Sequence, residues 1–261
     1  MTDELPPLPW NQSREDRHAA RAARRRERRE ERAEGQGRGR RGDRPQVEPD
    51  QIVAAALHIL DTEGLDALTV RRLASELGTG VMTLYWYIAS KEELLGLVID
   101  RIFGEVETPP PGGTWIQRGR VMATSMRATL MRHPAAIGPA TARPGLGPNA
   151  MRLMDFALGI FRDAGFAPDD AADAYFTVSN FVTGFSAFEA ASTLGPTERA
   201  AIREYLAKLP PERYANLVAL APRIFSASLD ERFAFGLESL LEGLAARLER
   251  RRPDSAATGD A

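Results

Sequence analysis

The chain contains no cysteine. That excludes disulfide scaffolds, cysteine-ligated zinc and thiol nucleophiles, and it fits a reducing compartment. Histidine is scarce: His18, His58 and His133 are the only three, and none stands in an HExxH pair or beside a serine-centred elbow. No apolar run approaches the ~20 residues that span a bilayer. The opening residues, MTDELPPLPW, lack the basic and apolar regions of a secretory signal. Gly35, Gly37 and Gly39 follow no strand, so they form no nucleotide loop. Asp169, Asp170 and Asp173 open a helix, where acidic residues are expected for dipole reasons. These absences predict a cytoplasmic chain that is neither a membrane protein nor an enzyme, with no cofactor and no bound metal.

What is present is a globular composition, 261 residues with 43% hydrophobic and 27% charged. The net charge of −2 is a sum over unequal parts. Residues 1–44 hold 13 Arg against 9 Asp plus Glu, a net of +4. The remaining 21 basic and 27 acidic residues leave −6 for 45–261. Residues 1–44 have no apolar stripe and read as a disordered Arg-rich arm. Two roles fit it: a solvated charge-mixed tail, or a phosphate-binding arm that adds counterion release to DNA affinity. Residues 252–261 read as a disordered tail.

Helical periodicity begins at Pro49. Ile52, Val53, Ala56, Leu57 and Leu60 form one apolar stripe, and Gly64 closes that helix. Thr69 caps a second helix, with Arg71 and Arg72 in its first turn. Positive charge there opposes the helix dipole, which points to an anionic partner. Gly78 breaks this helix, Thr79 and Gly80 make a turn, and a third helix is predicted over Val81–Tyr87. Ser90 and Glu93 form a capping box for a fourth, 91–104. The break TPPPGG at 108–113 is the best domain boundary. Beyond it, helices are predicted over 114–132, 149–164, 168–194, 196–209, 211–221 and 228–251, with a short or irregular proline-marked stretch at 134–148. No alternating β pattern of useful length occurs. The predicted fold is all-α, with an N-terminal helical domain at 45–107 and a helical bundle at 114–251.

Residues 68–95 carry the function. Tyr85, Trp86 and Tyr87 are consecutive, so on a helix they span about 200° and cannot all be core. Beside Arg71, Arg72 and Lys91 they suit phosphate oxygens. Val81, Met82 and Thr83 open the third helix and are placed to reach base edges, through apolar contacts and a hydroxyl. Here the sequence resembles the TetR family of transcriptional repressors. The matching positions are Gly64, Thr69, Leu73, Ala74, Leu77, Gly78, Thr83, Leu84, Tyr85, Tyr87 and Lys91, and Trp86 resembles the tetracycline-repressor branch. The resemblance implies a homodimer on a palindromic double-stranded operator, with half-sites about 34–36 Å apart or a multiple of it. It makes Arg71 and Thr83 base or near-base contacts, and Tyr85, Trp86, Tyr87 and Lys91 phosphate contacts.

The same resemblance implies a C-terminal domain for effector binding and dimerisation. Tetracycline-binding members carry a metal-ligating histidine just before an Arg-Pro pair. Here Pro139, Ala140, Thr141 and Ala142 precede Arg143 and Pro144, so magnesium–tetracycline does not carry over. His133 is expected on the surface or at a helix cap. Met122, Met126, Arg143, Phe156, Phe176, Asn180 and Phe185 are the candidate pocket residues, suited to an apolar effector. Residues 168–194 and 228–251 are the expected dimer faces. The alternative reading is a helical adaptor or regulator of the same fold without ligand response.

Overall fold

A computed structural model describes residues 47–142, 147–192 and 195–251, without the side chains of Ala142 and Phe225. The arm expected at 1–44, the tail at 252–261 and Arg143 lie outside the described residues. From Glu48 onward the described chain belongs to one compact unit. Among these residues every regular element is an α-helix. In order they are α1 (Pro49–Glu63), α2 (Val70–Glu76), α3 (Val81–Leu84), α4 (Lys91–Phe103), α5 (Trp115–Arg132) and α6 (Pro134–Ala142). After them come α7 (Pro148–Asp163), α8 (Pro168–Ala191), α9 (Pro196–Ala207), α10 (Pro211–Ser226) and α11 (Leu229–Arg251).

The helix ends follow from their side chains. Thr69 Oγ1 accepts from Arg72 N at 3.2 Å and starts α2. Ser90 Oγ accepts from Glu93 N at 3.1 Å and starts α4. Glu48 and Gln51 form a capping box at α1, as Thr114 and Gln117 do at α5. Between α2 and α3 the chain must reverse within a few residues. Gly78 takes φ 59° there, a left-handed conformation that glycine adopts without strain.

Ile52, Ile59 and Leu60 of α1, Leu73 of α2, Leu84 of α3, and Leu94, Val98 and Ile102 of α4 are all buried. Each such side chain contributes about 1.5–3 kcal/mol when fully buried. α3 has four residues, too few to persist alone, and Leu84 and Ile88 anchor it. It is shorter than expected. Beyond Leu84 the chain makes turns in which Trp86 N bonds Thr83 O and Tyr87 N bonds Leu84 O, at 3.1 and 2.8 Å.

α4 leaves this unit and packs on α5, α6 and α7, while α5, α7, α8 and α11 form the second helical layer. Two proline expectations are corrected. Residues 134–142 are helical despite Pro139, and α10 runs to Ser226 through Pro222, with a kink at Tyr214. Arg127 ties α5 to α8 and α11. It pairs with Glu189 and Asp230, both at 2.7 Å, and lies 4.7 Å over the Phe233 ring. None of the helices among the described residues is long and apolar enough to cross a membrane.

Candidate DNA interface and effector cavity

α3 presents a side chain at each compass point. Leu84 faces the core with no exposed surface. Met82 is 73% exposed, and Tyr85 and Trp86 are 42% exposed each. Val81, Thr83 and Tyr87 are half-buried. Arg71 is exposed on the first turn of α2. Met82 on α3 and Tyr85 and Trp86 in the turns that follow it are thus exposed together, with Arg71 close by in sequence.

Arg72 and Lys91 are spoken for inside the protein. The Arg72 guanidinium grips both carboxylate oxygens of Glu63 at 2.6–3.1 Å and bonds Glu76 at 2.8 Å. Glu63 and Glu76 thus supply anionic partners to Arg72 from within the protein. Hydrogen bonding from Arg72 holds the Glu63 carboxyl below the usual carboxylate range. The same bonds from Glu63 and Glu76 push the guanidinium further up. Lys91 Nζ donates to the Leu65 carbonyl at 3.1 Å, fixing the start of α4 to the α1–α2 loop. Both residues brace the reading head, a role their sequence positions did not reveal because Glu63 and Leu65 belong to other segments.

The second feature is a cavity of about 550 Å³. Met122 and Met126 of α5 and Phe176 and Asn180 of α8 line it, as expected. Phe156 and Phe185 do not. Phe156 points elsewhere on α7, under the Arg118 guanidinium at 5.6 Å. Phe185 packs on Phe233 and Phe181, with ring centroids 5.4 and 5.8 Å apart. The α7 wall instead comes from the stripe Ala150, Leu153, Met154, Ala157 and Phe161, whose 3–4 residue spacing defines one face. Asn180, one of the candidate pocket residues, is exposed, as is Phe176, and both line the cavity. Polar groups cluster on α8. Tyr175, Ser179 and Thr183 line the wall, and burial raises the Tyr175 phenol above its ordinary value against a hydrogen bond from Ser179. Among the described lining residues none carries a formal charge. Phe103, the last residue of α4, completes the lining.

Residues 52–98 match the family model described as bacterial regulatory proteins, tetR family. Residues 108–248 match tetracyclin repressor-like, C-terminal domain. The chain belongs to the tetR family. It is a DNA-binding transcriptional regulator. This tetR-family chain is similar to the HTH-type transcriptional repressor DrrR1 of Streptomyces coeruleorubidus, at 35% identity over 83% of this chain and 84% of the relative. Its fold is similar to apo ActR from Streptomyces coelicolor, with a TM-score of 0.75 and 37% identity, covering 80% of this chain and 99% of that one. A second ActR structure, in complex with actinorhodin, gives a TM-score of 0.73 and 38% identity, covering 77% of this chain and 98% of that one. BioQ with its double-stranded DNA operator gives 0.58 and 28%, covering 77% and 99%.

Proposed function

We propose that this regulator is a homodimeric repressor, released from a palindromic operator when a small, largely apolar molecule enters the α5–α7–α8 cavity. The observation that carries the reading is Phe103. It ends the helix that begins at the reading head's Lys91 contact, and it also lines the cavity. A ligand that moves Phe103 therefore acts on α4 directly, and effector and DNA binding are coupled through one rigid element. A volume of about 550 Å³ is within the range of drug-sized sites, about 300–1,000 Å³. The ActR–actinorhodin complex supports a small-molecule ligand for this fold, and the BioQ–operator complex supports DNA as the other partner.

In this reading Met82, Val81 and Thr83 meet base edges and Tyr85, Trp86 and Tyr87 meet phosphates, while Arg71, which the resemblance makes a base or near-base contact, is assigned to a phosphate beside those bases. Arg72 and Lys91 act through the frame they brace. Two copies join through α8 and α11, where Phe188 and Phe235 are 60% and 76% exposed and would be covered by the partner. The test is a footprint on the DNA flanking the gene, followed by titration with actinorhodin and, separately, with uncharged apolar compounds of similar size. A protected palindrome that is released by at least one compound bound in the cavity is expected. A protein that binds no specific site, or whose cavity ligand leaves operator affinity unchanged, overturns it.

A further inference from the structure

His133 occupies the corner between α5 and α6. It caps α5, its N–H donating to the Leu130 carbonyl at 3.1 Å, and Pro134 begins α6 at once. The helix-capping role expected from sequence holds, but the residue is only 8% exposed rather than on the surface. Nδ1 lies 3.0 and 2.9 Å from the two carboxylate oxygens of Asp61, in the last turn of α1. Nε2 lies 3.1 Å from Glu105 Oε2, just past the end of α4. Arg132 reaches the same Glu105 oxygen at 3.0 Å. Each ring nitrogen thus faces one carboxylate, and the imidazole is the partner that Asp61 and Glu105 share. Both anionic partners belong to the helical unit that carries the reading head. The corner itself is shared with the cavity, which Met126 and Leu130 line from α5 and Thr141 from α6.

We propose that His133 is a positioning residue, which couples the cavity to the reading head by pinning the α5–α6 corner to the C-terminal ends of α1 and α4 together. It touches neither DNA nor ligand. A shift of that corner reaches both helices at once, and so sets the spacing of the two α3 helices in the dimer. This inference rests on the reading of the chain as an operator-binding dimer with an effector cavity.

The test uses the full chain and an operator duplex taken from the footprint above. Because the chain lacks cysteine, Ser75→Cys on the exposed face of α2 accepts one nitroxide per subunit. Label-to-label distances are then measured in the dimer by pulsed dipolar spectroscopy, beside operator affinity by fluorescence anisotropy. His133→Phe leaves Asp61 and Glu105 without their shared partner. It is expected to broaden the distance distribution and weaken operator binding about tenfold, within the usual size of a coupling effect. His133→Arg, a cation able to reach both carboxylates, is expected to restore both readouts. Helix content by circular dichroism should be unchanged in each. A His133→Phe protein with the wild-type distribution and affinity overturns the proposal, as does a folded His133→Arg protein no better than His133→Phe. Should His133→Phe not fold, Asp61→Asn with Glu105→Gln serves instead. That pair must broaden the distribution, and a narrow one overturns the proposal. A wild-type protein with no operator binding or no dipolar signal overturns the underlying reading itself.

Discussion

Helix α7 forms the cavity wall, and its N-terminus is capped by a residue of α4. Gly147 at the N-cap position has no side chain to offer. The buried Asp100 takes its place: Oδ1 accepts from Ala150 N at 3.0 Å, and Oδ2 from Asn149 Nδ2 at 3.1 Å. Replacing Asp100 by Ala removes an N-cap bond of about 1 kcal/mol and an anion at a helix N-terminus of about 0.3–1 kcal/mol. The charge-assisted bond alone is worth about 1.5–3 kcal/mol. Since these figures overlap, a loss of about 2–3 kcal/mol is expected. For a chain of this size that lowers Tm by about 5–10 °C. The geometry makes a sharper claim. A Cβ on Gly147 would collide with the Asp100 carboxyl, 2.7 Å from its Cβ and nearer still to Cγ and Oδ1. Gly147→Ala should therefore expel the carboxylate and lose a similar amount. With Asp100→Ala already in place the contacts with Cγ and Oδ1 are gone and only the Cβ approach at 2.7 Å remains, so the double variant should be about 1 kcal/mol more stable than the sum of the singles predicts. Urea unfolding followed by circular dichroism measures all four proteins at one concentration. Additive losses, or an Asp100→Ala change below about 0.5 kcal/mol, would refute the cap.

Four further outcomes are expected. Arg71→Ala should weaken operator binding and reduce the slope of log affinity against log salt by about one, as the loss of one phosphate contact does, whereas Arg72→Ala should lower stability as well; equal slopes in wild type and Arg71→Ala would remove Arg71 from the interface. Glu63, Glu238 and Glu105 all sit below the usual carboxylate range. Hydrogen bonding from Arg72 does this at Glu63 and from Arg120 at Glu238; at Glu105 burial pulls upward and His133 and Arg132 outweigh it. Groups with depressed folded values stabilise the protein above their unfolded pKa near 4.5 and lose that contribution as pH falls through the folded value. Urea midpoints from pH 6 to 3 should drop, with a shallower drop in Arg72→Gln. Ala157→Phe, on the cavity face of α7, should abolish ligand-induced release while keeping operator affinity, as read by anisotropy with and without ligand. Phe235→Glu with Phe188→Glu should yield a monomer by light scattering; an intact dimer would move the interface off these faces.

The helices were legible because their signals are local. Thr69, Ser90 and Thr114 cap within three residues of their partners, and Gly78 marks its turn by a need only glycine meets cheaply. What was not legible required knowing a neighbour across the fold. Arg72 looked like a free cation misplaced at a helix start, and its partner Glu63 lies nine residues back on another helix. Phe156, a candidate pocket residue by its apolar character, lies off the Ala150–Leu153–Met154–Ala157 face. Phe185 stands next to the cavity-lining Thr183 and Gly184, yet its ring turns into the Phe233 cluster. Chemistry and period identify a helix. Which way a given ring turns is set by what packs opposite, which a single sequence does not state.

The charge distribution acquires a different meaning once these partners are assigned. Residues 49–106 hold nine acidic and four basic residues, a poor electrostatic advertisement for a DNA-binding unit. Of the four bases, Arg72 is neutralised by Glu63 and Glu76, and Lys91 is anchored on a carbonyl. Long-range attraction therefore falls to Arg71, to Arg101 in the last turn of α4 and to whatever the 13 arginines of residues 1–44 contribute. An acidic body repels the duplex except where the exposed Met82, Tyr85 and Trp86 meet it, which restricts the docking orientation. In such an arrangement affinity and specificity are carried by different parts of the chain. Removal of residues 1–44 should then reduce affinity on all DNA alike and flatten its salt dependence, while the ratio of operator to random-sequence binding stays fixed. A fall in that ratio on deletion would mean that the arm reads sequence, and that the division drawn from the paired charges of α2 and α4 is wrong.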